Sequence, residues 1–272
     1  MPSRFFRQSI VYYIIIDYNE HNVSRLLGGS SMMRILAIGN SFSQDATTFL
    51  EPIARSAGLD WLVRNAFIGG CSLERHWENV RNGEVVYEYQ ENGEALKMVS
   101  IDQALLAEPW DWITLQQVSH HAGLPETYEP YLSELIRYIQ KMVPGASIAF
   151  HQTWAYEFDS DHGGFALYQR DRKLMFREIK RTVDAMAKRH RLPVIPVGST
   201  IERLRTFPEF DPQRGGSRLT RDGFHLSYDY GRYAAGLVWF SFFGKTPLSM
   251  VSFTPSCCDG HLCEMVRNSL LE

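Results

Sequence analysis

No stretch of the 272-residue chain stays apolar over the roughly 20 residues that a helix needs to cross a bilayer, so a spanning helix is not expected. Excess charge of either sign is also missing. Lys and Arg number 28 against 31 Asp and Glu, the net charge is −3, and no basic stripe stands out. A nucleic-acid partner is therefore not expected. Cysteine is sparse, with Cys71, Cys257, Cys258 and Cys263 making up the whole set. That is not the framework of a small disulfide-built protein. Segment 257–263 lacks the two separated ligand pairs of a zinc site and reads as a tail with free thiols. Internal repeats and low-complexity tracts are absent too, which sets aside solenoids and arrays.

What is present suits one large domain. Hydrophobic residues make up 44% and charged residues 22%, and the length suffices for a well-filled α/β core. Apolar runs of strand length alternate with helical patterns. Strands are expected at 34–38, 61–68, 110–115, 147–151 and 192–197, and helices at 46–57, 131–142, 168–190 and 228–243. This rhythm predicts a central parallel five-stranded sheet covered on both faces, a three-layer α/β/α sandwich. One piece departs from it. Residues 85–90 and 95–99 flank Asn92-Gly93 and read as a β-hairpin, expected as an insertion lying on the sandwich. Residues 206–221 are polar and rich in Pro and Gly, and read as a loop.

The N-terminus stands apart. Ile10 to Ile16 is apolar and follows Arg4 and Arg7, a faint signal-peptide pattern. Asp17 ends it early, and no small-residue cleavage site follows closely. Met32-Met33 offers a second start directly before the first strand. Residues 1–31 are thus expected to be an extension outside the fold, 32–272 a single domain, and the location cytoplasmic.

In open α/β sheets ligands bind beyond the carboxyl ends of the strands. The first strand runs into Gly39-Asn40-Ser41, which would seat Ser41 at a helix start where backbone N–H groups favour developing negative charge. The same triplet also suits an ordinary turn and cap. A serine hydroxyl needs a base, and the base needs an orienting carboxylate. Asp222-Gly223-Phe224-His225 carries both within one short turn, although a capping Asp beside a surface His gives the same letters. After the second strand, Gly69-Gly70 can bring a backbone N–H close to an oxyanion. Gln116 and Gln117 end the third strand, where a buried amide must bond something. One of them is expected to aim a donor into the site. His120 and His121 hint at a metal, but neighbours on an extended chain point to opposite sides.

Taken in order, these pieces resemble the SGNH (GDSL) hydrolases. Gly39-Asn40-Ser41 stands for the family's Gly-Asp-Ser turn, with Asn in place of Asp. Residues 65–72 resemble its second block, with Gly70 at the oxyanion glycine, and Asp222 and His225 match its Asp-x-x-His. The third block departs, with Leu115-Gln116-Gln117 where the family has Gly-x-Asn-Asp. Sialate O-acetylesterase-like members carry a glutamine there. The Leu-Gln-Gln block and Gln152-Thr153-Trp154-Ala155-Tyr156 also resemble a bacterial SGNH-like group of unassigned function. The resemblance covers roughly 34–243. It implies a flavodoxin-like SGNH fold and a serine esterase without metal or cofactor. The triad would be Ser41, His225 and Asp222, and the oxyanion hole Ser41, Gly70 and Gln117, with Gln116 second choice. Asn40, Gln116, His151, Trp154 and Tyr156 would line the substrate pocket. The expected substrate is a small-molecule or oligosaccharide ester of a small acyl group such as acetyl. Two rivals remain at this point. One is a non-catalytic binding domain on the same fold. The other is a metal-dependent hydrolase built on His120, His121, His151, His162 or the cysteine tail.

Overall fold

The computed structural model describes residues 32–270, and the extension expected over 1–31 lies outside the described residues. Seven strands form one sheet: β1 Met33–Gly39, β2 Trp61–Phe67, β3 Tyr87–Glu91, β4 Glu94–Val99, β5 Trp112–Leu115, β6 Ser147–His151 and β7 Val194–Ile195. Nine α-helices are present among the described residues. They are α1 Ser41–Thr47, α2 Leu50–Ser56, α3 Leu73–Asn82, α4 Ile101–Leu105, α5 Tyr131–Met142, α6 Arg172–His190, α7 Val197–Leu204, α8 Tyr230–Phe243 and α9 Gly260–Ser269.

The sheet order is β4-β3-β2-β1-β5-β6-β7, and β2, β1, β5, β6 and β7 run parallel. This is the five-stranded core expected from the alternating pattern. β1 is buried from Ile35 through Gly39, as a central parallel strand must be. The chain leaves β1 to one side for β2 and later returns to its other side for β5. The switch point therefore lies between β1 and β5, where open α/β sheets place their ligands.

Helices cover both faces. α1, α2, α7 and α9 pack around α8, and α3, α4 and α5 pack together on the other face. α8 is buried nearly all round, since YGRYAAGLVWFSFF has no continuous polar stripe to turn to water. The longest helix, α6, is anchored by Asp171, whose carboxylate caps the N–H groups of Lys173 and Leu174.

Two expectations need correction. The hairpin does not lie on the sandwich. β3 pairs antiparallel with β2, Asn65 opposite Gln90, and β4 pairs with β3, so the hairpin widens the sheet to seven strands. The helix expected at 46–57 is two helices, parted at Thr48-Phe49. Pro52 has no N–H to give Thr48, and its ring collides with the carbonyl four residues back, so one helix cannot run through. The cysteine-bearing tail carries a helix. α9 packs on α8 with Cys263 and Val266 buried, while all four cysteines are free thiols. Among the described residues no helix is long and apolar enough to cross a membrane.

Candidate active site

The turn between β1 and α1 is fixed from three sides by Asn40. Its Oδ1 accepts from the N–H of Phe42 at 3.0 Å, capping α1, and from Nε2 of Gln116 at 2.7 Å. Its Nδ2 donates to the carbonyl of Cys71 at 3.0 Å. A carboxylate could not make that last bond, since it has no hydrogen to give. Asn40, standing where the Gly-Asp-Ser turn that this segment resembles has aspartate, is thus matched to its surroundings. Ser41 follows as the first residue of α1, and its Oγ stands 2.8 Å from Nε2 of His225. On the far side of the cleft Gly70 has φ +63°, a left-handed conformation that a side chain would strain. Among the described residues neither the Ser41 nor the Gly70 N–H has a protein acceptor.

His225 owes its position to one carboxylate. Asp222 Oδ1 accepts from the N–H groups of Phe224 at 3.2 Å and His225 at 2.7 Å, closing the turn. Asp222 Oδ2 accepts from Nδ1 of His225 at 2.6 Å. That bond places the imidazole proton on Nδ1 and leaves Nε2 free to face the serine. Burial alone would raise the Asp222 carboxyl. The bonds from the His225 ring and from the two backbone N–H groups outweigh it and hold the group below the usual value. Gly223 takes φ +85°, and a Cβ there would stand 3.0 Å from Ser160 Cα, so any side chain at this position would be strained. A buried residue not singled out by sequence reasoning joins the two halves. Asp45, on α1 one turn after Ser41, accepts from the N–H of Leu226 at 2.9 Å, from Nε of Arg232 at 2.8 Å and from Nη1 of Arg221 at 3.0 Å. Its signal was a lone acid between Phe42 and Ala46 on the apolar side of a helix, a place that demands a partner.

The remaining sequence candidates sit behind the cleft. Gln117 is not an oxyanion donor. Its Nε2 donates to Thr127 at 2.9 and 3.1 Å, and its Oε1 accepts from the N–H groups of Leu73 and Val118. Gln116, His151, Trp154 and Tyr156 do not line the cleft and are all but fully buried. They support the wall instead. His151 Nδ1 donates to Gln116 Oε1 at 2.8 Å, and Gln116 Nε2 donates to Asn40, so one train of bonds runs from β6 to the nucleophile turn. Burial pushes His151 down to about 3 and keeps it neutral. Trp154 stacks on Phe42 with centroids 4.1 Å apart and donates from Nε1 to the carbonyl of Phe224 at 2.7 Å. Tyr156 shares a 2.7 Å bond with Ser119 Oγ. Among the described residues no three His, Cys, Asp or Glu side chains converge as a metal site, so the metal reading gains no ligand set.

Ser41, His225, Gly70 and Phe224 border a cleft of about 430 Å³ at the β1/β5 switch point. This volume is ordinary for a small-molecule site. A larger hollow of about 570 Å³ lies by β7 and α8 and is lined by groups such as Val194, Pro196 and Phe242. Its lining includes neither Ser41 nor His225.

Against this geometry the likeness to known proteins can be weighed. A family model described as a domain of unknown function (DUF4886) matches residues 34–271. A DUF4886 family protein from Bacteroides uniformis, known from its crystal structure, is 34% identical. The match covers 89% of this chain and 95% of that one, with a TM-score of 0.80. Two more distant structures share the fold. One is a protein from Slackia heliotrinireducens described as a candidate SGNH hydrolase, 23% identical over 79% of this chain and 100% of that one, TM-score 0.54. The other is a candidate GDSL-like lipase from Parabacteroides merdae, 15% identical over 78% and 97%, TM-score 0.52. No curated protein matches the chain. By the span of the family match and the identity to the Bacteroides protein, this chain belongs to the DUF4886 family, built on the α/β/α sandwich of the SGNH hydrolases.

Proposed function

We propose that this protein is a serine esterase that removes a small acyl group, such as acetyl, from a hydroxyl of a small molecule or carbohydrate. The observation that carries the reading is the unbroken relay Ser41–His225–Asp222, with steps of 2.8 and 2.6 Å, at the edge of a cleft. His225 takes the Ser41 proton as Oγ bonds to the ester carbonyl carbon. The N–H groups of Ser41 and Gly70 stabilise the oxyanion, and each such donor is worth on the order of 10²–10³ in rate. As the tetrahedral centre collapses, the bond to the alcohol oxygen breaks and His225 protonates the leaving group. Water, deprotonated by His225, then releases the acid and restores Ser41. Asp222 stabilises the imidazolium in both halves. The scheme calls on no cofactor.

Hydrolysis of p-nitrophenyl acetate and butyrate tests this. Activity should survive a chelator and vanish in Ser41→Ala, with acetate preferred over butyrate. A Ser41→Ala protein as active as the wild type would remove the nucleophile from the scheme, and loss of activity in chelator would favour the metal reading.

A further inference from the structure

The proposed chemistry leaves two imidazoles of the cleft unused, His120 and His162. His120 lies in the 3₁₀ turn Ser119–His121 after β5, and His162 caps the 3₁₀ turn Gly163–Tyr168 after β6. Their ring centroids are 5.6 Å apart, with planes inclined by 34°. The arrangement is built rather than incidental. A Cβ on Gly164 would stand 2.3 Å from Cβ of His120, so glycine there makes room for that ring's attachment. His162 packs against Phe224 at 4.7 Å and Tyr156 at 4.8 Å, within the same aromatic group that touches His225.

Hydrogen bonding fixes what His162 offers. The N–H of Gly164 donates to its Nδ1 at 3.0 Å, so Nδ1 holds a lone pair and the neutral ring carries its proton on Nε2. Among the described residues that Nε2–H has no protein acceptor, and the ring nitrogens of His120 have no protein partner. The pair thus presents a set donor beside a ring free to donate or accept.

The charge of the cleft narrows the ligand. Burial, with His121 and His162 beside it, pushes His120 down to about 4, and burial followed by the nearby His225 lowers His162. Both are neutral near pH 7. Arg221 on the cleft wall is committed elsewhere. It pairs with both oxygens of Asp45, donates to the carbonyl of Leu226, and lies 4.8 Å from the ring centre of Tyr228. At the imidazole pair an anionic group would meet two uncharged rings, and Arg221, the one cation among the residues lining the cleft, is already ion-paired with Asp45. A molecule with adjacent hydroxyls and an apolar C–H face fits better, since Phe224 supplies a ring beside the donors.

We infer that His120 and His162 form the leaving-group subsite and hold neighbouring hydroxyls of an uncharged polyol such as a neutral sugar, not of an acidic one. This rests on the esterase reading for what the subsite serves, but its binding can be tested separately.

Ser41→Ala protein is titrated with methyl β-xyloside and with the anion of methyl β-glucuronide, and the His120 and His162 ring signals are followed by NMR. The neutral glycoside should shift both signals, with the anion binding roughly tenfold or more weakly. Signals that stay still, or a glucuronide that binds as well, would overturn the subsite. In parallel, kcat/KM for an acetylated methyl xyloside is divided by that for p-nitrophenyl acetate, in wild type and in His162→Phe. The ratio should drop roughly tenfold on loss of a neutral hydrogen bond, and an unchanged ratio counts against the inference. Binding without any hydrolysis by wild type would sink the esterase reading and leave the subsite standing. Hydrolysis of p-nitrophenyl acetate without any polyol effect would do the reverse.

Discussion

Ser41 carries an ordinary hydroxyl, and its reactivity depends on how little its neighbours can move. Two side chains do most of the fixing. Asp222 closes its own turn with one oxygen and orients His225 with the other. Asp222→Asn puts an amide where the imidazole needs an acceptor and favours the wrong tautomer. In a triad of this type the expected loss in kcat is on the order of 10³–10⁴ with little change in KM. Stopped assays with p-nitrophenyl acetate check it, and a loss under tenfold would remove Asp222 from the relay. Asn40 offers the complementary case. Asn40→Asp introduces the aspartate of the Gly-Asp-Ser turn that this segment resembles, yet here it removes the donor to Cys71 and turns a carboxylate oxygen toward a carbonyl. The buried mismatch should cost about 1–3 kcal/mol, read as a lowered urea midpoint. A variant as stable as wild type would show that the turn tolerates either residue.

α1 is only seven residues long, yet it holds Ser41 at one end and Asp45 one turn later. The spacing of four puts both on neighbouring positions of one helix face. Asp45 grips the residue after His225, so helix and loop are fastened side by side. Burial raises the Asp45 carboxyl against the pull of Arg221 and Arg232. Asp45→Asn leaves both guanidiniums without a charged partner. It should destabilise by ~3–5 kcal/mol and lower kcat more than a comparable loss of stability elsewhere. Chemical denaturation together with kcat measured well below the melting range tests both halves. Intact kcat in a destabilised protein would make Asp45 purely structural. The same distinction between local and distant bonds explains what the sequence makes legible. The Gly39-Asn40-Ser41 and Asp222–His225 turns can be read because each has a capping bond within a few residues, from the Phe42 N–H to Asn40 and from the Phe224 and His225 N–H groups to Asp222. Five parallel strands can be read from their apolar runs. The work of Gln116 and Gln117 cannot, because their partners are Asn40, His151 and Thr127, brought near only by the fold. Aromatic Trp154 and Tyr156 look like pocket walls in the sequence and prove to be the wall's backing. The hairpin's turn is legible from Asn92-Gly93, but its docking edge is not, since Asn65 and Gln90 meet across 25 residues.

Across the whole molecule, buried histidines set the response to acid. His76 lies enclosed between Cys71, at 3.5 Å from Sγ, and Tyr87, at 3.0 Å from the hydroxyl, and burial pushes it down to about 3. Burial does the same to His151, also to about 3, and takes His120 to about 4. The unfolded chain takes up these protons near pH 6.5, the folded protein far lower. Stability from these groups is therefore fully present above about pH 6.5 and drains as pH falls toward 3, at roughly 1.4 kcal/mol per pH unit for each histidine. Asp222, held below its ordinary value, keeps its contribution until the pH has fallen further, so the histidines act first. From pH 6.5 to 4.5, His76 and His151 together withdraw on the order of 5 kcal/mol, a large share of the 5–15 kcal/mol typical of a domain. Urea unfolding followed from pH 7.5 to 4.5 should show a steep loss beginning near pH 6.5. His76→Gln lowers stability at pH 7.5, because its partners lose a fitted ring, but it should flatten the slope by about one proton. An unchanged slope in that variant, or a wild-type stability level down to pH 4.5, would mean that these imidazoles are not kept neutral by the fold.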